Sequence, residues 1–213
     1  MSPPINHVDP PSRLAPARNS TRQRIVQGAR NHFFANGFRG VTMDDLAGEL
    51  GMSKKTLYAH FPSKTALLEA VLDDKFRTVD ADLGRVTSGG LPDIHATMQQ
   101  LLGSLQQHLQ EIQPPFVRDV HRNAPELFKS IQLRRRAMVE KHFGKVLGEG
   151  RRQGIVRKDI PTGTMIEILL GTIDAIVTPA RVTQLKLTPQ TALSSILKIF
   201  FYGVLTESHR PKL

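Results

Sequence analysis

Helical periodicity runs through almost the whole chain after Ser20, and no other feature limits the possible folds so strongly. Apolar residues recur three and four positions apart, which is the period of a helix with one buried face. No stretch of the sequence alternates between apolar and polar residues as a half-buried strand does. Glycine, proline and helix-capping Ser, Thr or Asp residues separate the periodic segments. The sequence therefore predicts an all-α fold.

About nine helices are expected between these breaks. Thr42, Ser53 and Ser63 are placed to cap the second, third and fourth of them, because their side-chain oxygens can accept from free first-turn amides. The predicted helices cover residues 21–36, 43–48, 54–60, 64–83, 93–112, 116–123, 125–152, 162–184 and 189–209. The segment GRVTSGGLP between them has the composition of a loop. Five prolines in residues 1–20 predict a disordered N-terminal arm.

Positive charge is concentrated near the N-terminus. The chain has 29 Lys and Arg residues against 19 Asp and Glu residues, which gives a formal net charge of +10. The basic residues between positions 11 and 64 are Arg13, Arg18, Arg22, Arg24, Arg30, Arg39, Lys54, Lys55 and Lys64. The acidic residues in the same range are Asp44, Asp45 and Glu49. A surface of this kind attracts polyanions, meaning nucleic acid or an anionic membrane.

Several classes of protein are disfavoured by what the sequence lacks. Without cysteine there can be no disulfide, thiol catalysis or thiolate metal site, and this composition suits a reducing cytoplasm. The histidines show no metal-binding spacing, and no phosphate-binding or nucleophile motif occurs, so no metal, cofactor or enzymatic activity is expected. The apolar run at 196–205 is too short to span a bilayer, and the N-terminus does not resemble a signal peptide. We expect a cytoplasmic protein with no membrane partner.

Residues 42–64 have the spacing of a helix-turn-helix, in which two short helices cross closely and a turn joins them. Ala47 provides the small side chain at the crossing, and Gly51 provides the turn, where a positive φ is expected. At about 100° per residue, Leu57 and Phe61 share the buried side of the second helix. The other side chains of that helix should point outward or flank the outward side.

The outward side chains suit the major groove of DNA, which admits a helix and is read by its N-terminal residues. Those expected to reach base edges are Lys54, Lys55, Thr56 and Ala59. Those expected to reach phosphates are Tyr58, His60 and Lys64. An ordinary solvated helix face is the alternative, and the charges alone would favour it. The helix-turn-helix spacing and the basic surroundings favour DNA contact instead.

Three segments carry a family resemblance, namely RIVQGARNHFFANGF, VTMDDLAGELGMS and KKTLYAHFPSKTALLEAVL. Their most specific residues are Leu46, Ala47, Gly51, Thr56, Leu57, Tyr58, Phe61 and Lys64. The segments resemble the TetR/AcrR family of bacterial transcriptional regulators, and the resemblance covers the N-terminal third of the chain. It implies a three-helix DNA-binding domain, expected over residues 21–67, and a helical ligand-binding and dimerisation domain over residues 68–213. It also implies a phosphate contact from Thr42.

In functional terms the resemblance implies a ligand-responsive transcriptional regulator and not an enzyme. We expect a repressor that binds a near-palindromic operator in double-stranded DNA as a homodimer, and that a small-molecule effector releases. The alternative is a non-specific nucleic-acid-binding structural protein, which would share the basic charge. That protein would bind random duplexes nearly as well as any selected site.

The last two predicted helices carry broad apolar stripes, wider than a helix covered on one side needs. They could serve only the core, but the family uses this pair as a four-helix dimer interface, and we favour that role. The predicted interface residues are Leu169, Ile173, Ile176, Leu193, Leu197, Phe200 and Val204.

The resemblance also implies a pocket for a largely apolar small-molecule effector among the middle helices. Each apolar candidate is, taken alone, more typical of an ordinary core residue. The candidate lining residues are Met98, Leu102, Leu105, Phe116, Val120, His121 and Met138. His121 is the polar candidate that could orient a ligand.

Overall fold

Side-chain caps begin six helices of the computed structural model, which describes residues 14–89, 91 and 93–209. The capping residues are Thr42, Ser53, Ser63, Asp93, Thr178 and Thr188. Each side chain accepts a hydrogen bond from the backbone amide three residues later. Such amides have no acceptor inside the helix, so the caps fix where these helices begin. The three N-terminal caps are those that the sequence predicted.

Ten α-helices make up most of the described chain, which confirms the all-α prediction. They are α1 (Leu14–Asn36), α2 (Met43–Glu49), α3 (Lys54–His60), α4 (Lys64–Thr87), α5 (Ile94–Gln110), α6 (Pro114–Asn123), α7 (Pro125–Arg152), α8 (Thr162–Ile176), α9 (Pro179–Gln184) and α10 (Pro189–Val204). A short 3-10 helix follows at Glu207–His209. In these same residues there is no β-strand, only an isolated antiparallel bridge between Val156 and Leu205.

The tenth helix arises because the segment predicted as one helix over 162–184 is broken in two. Helix α8 ends at Ile176, and Thr178 caps α9, which starts at Pro179. Proline restricts the residue before it to extended conformations and has no amide hydrogen to continue the helical ladder. The sequence prediction missed this break because the apolar pattern continues past it.

Three other helix ends differ from prediction by more than two residues. Helix α1 begins at Leu14, so residues 14–20 are helical and not part of a disordered arm, while residues 1–13 lie outside the described residues. Pro16 falls in the first turn, where an amide hydrogen would have no intrahelical acceptor. Helix α4 continues to Thr87, which is buried, and α10 ends at Val204. Tertiary packing thus extends α4 into the segment predicted to be a loop.

The buried apolar side chains form two separate clusters. The first, which we call the N-terminal core, joins α1, α2 and α3 to the first half of α4, and includes Phe116 and Val120 of α6. The second, the body core, joins the second half of α4 to α5, α7, α8 and α10. Packing therefore crosses the division predicted at residues 67 and 68, because α4 serves both cores and α6 packs with the N-terminal one.

Two hydrogen bonds donated by backbone amides hold α6 and the residue before it against the end of α1 and the turn after it. The amide of Gln113 donates to the carbonyl of Phe34 over 3.0 Å, and the amide of Arg39 donates to the Asp119 carboxylate over 2.9 Å. Gly37 lies between them with φ of 84°. A Cβ on Gly37 would stand 2.6 Å from an Asp119 carboxylate oxygen, so only glycine permits this approach.

A cluster of charged groups joins α1, α4 and α5. Glu111, just after α5, accepts from Arg30 of α1 over 2.5 Å and from Lys75 of α4 over 3.0 Å. His108 is bonded to Asp82 over 2.8 Å. Burial raises the pKa of Glu111, but the hydrogen bonds from Arg30 and Lys75 outweigh it and hold the pKa below its ordinary value. The carboxylate therefore stays ionised at the junction of the three helices.

Candidate nucleic-acid interface

The turn between α2 and α3 has the backbone that the sequence predicted. Gly51 has a φ of 61°, and the amide of Met52 donates to the carbonyl of Ala47 over 2.9 Å. Leu57 is fully buried and Phe61 nearly so, and both belong to the N-terminal core. These two anchors fix the rotation of α3 about its own axis, and with it the direction of every other side chain on the helix.

The outer side of α3 is open to solvent. The side chains at Lys54, Lys55, Thr56, Tyr58 and Ala59 are all exposed, and Tyr58 is 48% accessible. His60, in the last turn, is half-buried. The first turn thus presents two lysines and a threonine on a short rigid helix, which is the arrangement that major-groove recognition needs.

Arg22 of α1 contacts the C-terminal end of α3. Its guanidinium lies 4.8 Å from the centre of the Phe61 ring. A cation over an aromatic face is attracted to the ring, so this contact holds α1 beside the end of α3. The neighbouring Arg24 and Arg39 are exposed, and they add to the positive charge of the same unit.

Two of the predicted phosphate-contacting residues have structural partners as well. Thr42 forms a capping box with Asp45, and its hydroxyl donates to the Asp45 carboxylate over 2.6 Å. Lys64 donates to the carbonyls of Phe38 and Val41, over 2.9 Å in each case, and its ammonium lies 4.6 Å from the Phe38 ring centre. Both side chains therefore help to build the domain, and a change at either would affect folding as well as binding.

Asp44 is exposed on this surface but was not among the predicted contacts. The Lys54 ammonium is bonded to the Asp44 carboxylate of α2 over 2.6 Å. Both side chains are more than half exposed. The sequence could have suggested this pairing through the opposite charges in the first turns of two crossing helices, but the distance between them depends on the crossing geometry.

The seven residues predicted to line a ligand pocket do not form one group. Met98 is buried in the body core, and Leu102, Leu105 and Met138 pack at its edge. The other apolar members, Phe116 and Val120, belong to the N-terminal core. His121 is exposed, with its ring 4.9 Å from that of Phe128, so it does not point into the body core.

Two open grooves flank α4, and none of these seven residues lines either of them. One groove of about 470 Å³ lies between α1, α4 and α7. The other, of about 390 Å³, lies between α4 and the corner where α6 meets α7. Asp73, Phe76 and Arg134 line both, so the ion pair of Asp73 with Arg134 stands where the grooves meet.

Most of the predicted dimer residues face the interior of the same chain. Leu169, Ile173, Leu197 and Val204 are buried in the body core, and Ile176, Leu193 and Phe200 are partly buried against it. The exposed large apolar residues of α8 and α10 are instead Ile168, Ile199 and Tyr202, of which Ile199 is 74% accessible. The assignment of these helices to a dimer interface stays a prediction. The exposed side of each helix differs from the predicted one, because broad apolar stripes leave the rotation of a helix undetermined.

Comparison with known proteins agrees with this geometry. Residues 25–71 match the family model described as bacterial regulatory proteins, tetR family. The chain is 25% identical to YvaF of Bacillus subtilis, an uncharacterised HTH-type transcriptional regulator, over 76% of this chain and 85% of that protein. It is 42% identical to the HTH-type transcriptional regulator UidR of Escherichia coli, over 24% of this chain and 26% of that protein.

Similarity of fold to known structures extends beyond the N-terminal unit. A crystal structure of a transcriptional regulator from Saccharomonospora viridis in complex with choline has a TM-score of 0.65 and 18% identity. The match covers 89% of this chain and all of that one. At this level of identity the likeness concerns the fold alone.

A basic helix-turn-helix unit joined to an all-α body defines a DNA-binding transcriptional regulator and not an enzyme. The match over residues 25–71 and the related regulators identify the family more closely. Residues 25–71 form a DNA-binding domain of the tetR type, and over most of its length the chain is similar to an HTH-type transcriptional regulator. Over residues 14–89, 91 and 93–209, none of its helices has the length and apolar character needed to cross a membrane.

Proposed function

We propose that this regulator is a repressor, which binds a near-palindromic operator as a homodimer and is released by a small-molecule effector. The observation that carries the proposal is the exposed first turn of α3, held in place by the buried Leu57 and Phe61. Lys54, Lys55, Thr56 and Ala59 are the proposed base contacts. Thr42, Tyr58, His60 and Lys64 are the proposed phosphate contacts.

A dimer is required because one unit of this size reads only a few base pairs. Two copies of α3 must stand about 34–36 Å apart to enter successive major grooves on one face of the duplex. We assign the dimer contact to the outer side of α8 and α10, with Ile168, Ile199 and Tyr202 at its centre. Large exposed apolar side chains on two adjoining helices are what a helical interface buries.

The effector would bind in the body, between the helices that pack around Met98, Leu102, Leu105 and Met138. The choline complex of the Saccharomonospora regulator shows a ligand bound by a protein with this fold. Helix α4 runs from the body core into the N-terminal core, so a change in body packing would move α3. An effector that binds the non-operator form about 1–3 kcal/mol better would weaken operator binding roughly 5- to 150-fold.

Selection of bound duplexes from a randomised pool tests the proposal. A near-palindromic motif is expected, with half-sites about one helical turn apart. The competing assignment is a structural protein that binds nucleic acid without sequence preference. Equal affinity for selected and scrambled duplexes at every salt concentration would favour it and would exclude an operator-binding regulator.

The first mutational prediction concerns a phosphate contact. Tyr58→Phe should weaken binding to every duplex by about fivefold, because one hydroxyl–phosphate hydrogen bond is worth about 1 kcal/mol. Titrations against the selected operator and a scrambled duplex would measure the loss. Ser130→Ala is the control, since it removes a hydroxyl from α7, outside the proposed DNA and dimer surfaces. Equal affinities for Tyr58→Phe and the unmodified protein would remove Tyr58 from the interface.

The second mutational prediction concerns base reading. Lys55→Ala should change the selected motif at one position in each half-site, because a lysine donating to guanine contributes about 1–3 kcal/mol of discrimination. Repeating the selection with the variant would show the change. Lys129→Ala, at an exposed lysine on α7, removes the same charge elsewhere and should leave the motif unaltered. A variant that selects the same motif as the unmodified protein would show that Lys55 does not read bases.

A further inference from the structure

The ion pair between Asp44 and Lys54 places a carboxylate on the surface that we assign to DNA. Asp44 is in the first turn of α2, and its oxygen lies 2.6 Å from the Lys54 ammonium in the first turn of α3. The side chains are 57% and 63% exposed, respectively. The pair therefore spans the crossing of the two helices on its solvent side.

Capping of α2 does not explain this carboxylate. The capping box is made by Thr42 and Asp45, so the hydrogen bonds that begin the helix belong to the neighbouring acidic residue. Nor does an exposed ion pair of this kind add much to stability, since water and salt screen it. An exposed carboxylate beside α3 would also oppose binding, because its negative charge would repel the phosphates of a duplex that α3 approaches.

The bond to Asp44 limits the positions and the hydrogen bonds that are open to the Lys54 ammonium. A free lysine is a flexible point charge that can reach phosphates and bases alike. Bonded to Asp44, the ammonium is restrained beside the first turn of α3, and one of its three donors is used. The remaining donors match guanine O6 and N7, while the remaining lone pairs of the carboxylate match the amino group of cytosine. Donor and acceptor held side by side are complementary to the major-groove edge of a G·C pair.

We propose that Asp44 and Lys54 act as one unit that reads a G·C pair in each half-site, with Asp44 as both the positioning residue for Lys54 and an acceptor for cytosine. The inference rests on the proposed operator binding. The carboxylate repels bases and phosphates that present only acceptors, so it lowers affinity for all duplexes while it raises discrimination among them.

Asp44→Asn tests this inference because it keeps the shape of the side chain and removes its charge. Affinity for a scrambled duplex should rise about five- to tenfold, and the salt dependence should steepen by about one in the log–log slope. Preference for the G·C pair should fall about tenfold in a selection from a randomised pool. In the Lys54→Ala background, Asp44→Asn should lower that preference by a smaller factor than in the unmodified protein, since only the contact with cytosine remains to be lost.

Glu49→Gln is the matched control. It removes one negative charge from the same helix, at a carboxylate that lies 3.3 Å from His32 of α1. Base preference should be unchanged in this variant. Thermal melting of the Asp44→Asn protein should match that of the unmodified protein, so that altered binding is not a folding effect.

Each result decides one question. If the unmodified protein selects a motif and Asp44→Asn selects the same motif with the same strength, the inference is overturned and operator binding stands. If Asp44→Asn and Glu49→Gln raise affinity equally with no change in motif, the effect is one of net charge, and the inference is again overturned. If the unmodified protein selects no motif, the proposed function itself fails, and this inference with it.

Discussion

Ile199→Glu is expected to leave the protein monomeric and to lower its affinity for the selected operator by at least about a hundredfold. In the proposed dimer this side chain, 74% accessible in the single chain, is buried against the partner. A carboxylate there would have to be desolvated without a counter-charge, which costs several kcal/mol, and central interface residues dominate the energy of association. A monomer would read one half-site only, so operator binding would fall with dimerisation.

Light scattering measures the first effect, and titration of the operator measures the second. Leu133→Glu is the control, because Leu133 is 61% accessible on α7 and lies outside the proposed interface, so that variant should remain dimeric. Ile173→Glu should behave differently again, since Ile173 is buried in the body core and a charge there should unfold the chain. An intact Ile199→Glu dimer would remove the outer side of α8 and α10 from the interface.

Gly37→Ala should destabilise the folded chain by about 2–3 kcal/mol, which corresponds to a fall in melting temperature of roughly 4–12 °C. Two effects add at this position. The backbone has a φ of 84°, where alanine is strained, and the new Cβ would meet an Asp119 carboxylate oxygen at 2.6 Å. It would also lie 3.3 Å from the backbone of Pro115, which cannot turn aside as a flexible side chain can.

Thermal or urea unfolding would measure this loss of stability. Gly103→Ala is the matched control, because Gly103 is exposed within α5 and a Cβ there would meet nothing within 4 Å. That substitution should stabilise the chain by about 0.5–1 kcal/mol. In an Asp119→Ala background, which already lacks the bond to Arg39, Gly37→Ala should cost less than it does in the unmodified protein, because the carboxylate is then absent. An unchanged melting temperature for Gly37→Ala would contradict the close approach of α6.

The local structure of the N-terminal unit could be predicted from the sequence because interactions between residues close together in the chain determine it. Thr42, Ser53 and Ser63 cap helices through bonds to residues only three positions away. The positive φ of Gly51 and the burial of Leu57 follow in the same way from a turn and a helical period. Contacts of this kind do not depend on how distant parts of the chain pack.

Features that depend on tertiary packing were harder to predict. Lys64 was expected to reach a phosphate, but its bonds to the carbonyls of Phe38 and Val41 exist only because the end of α1 folds back beside α4. The predicted ligand residues Phe116 and Val120 share a helical pattern with true body residues, yet they pack in the N-terminal core. Periodicity shows that a side chain is buried but not which neighbour buries it.

The attachment of α6 to the N-terminal core has a consequence for exchanging modules between relatives. A chimera joined at residue 67 would transfer α1, α2 and α3 without α6, which completes the N-terminal core. Phe116 and Val120 would then face a surface from another protein. The transferable unit is discontinuous in the chain, because the segment around Gln113 and Asp119 is bonded to the end of α1 and to the turn after it. New operator specificity should therefore be introduced by substitution on α2 and α3, or by moving both pieces of the unit together.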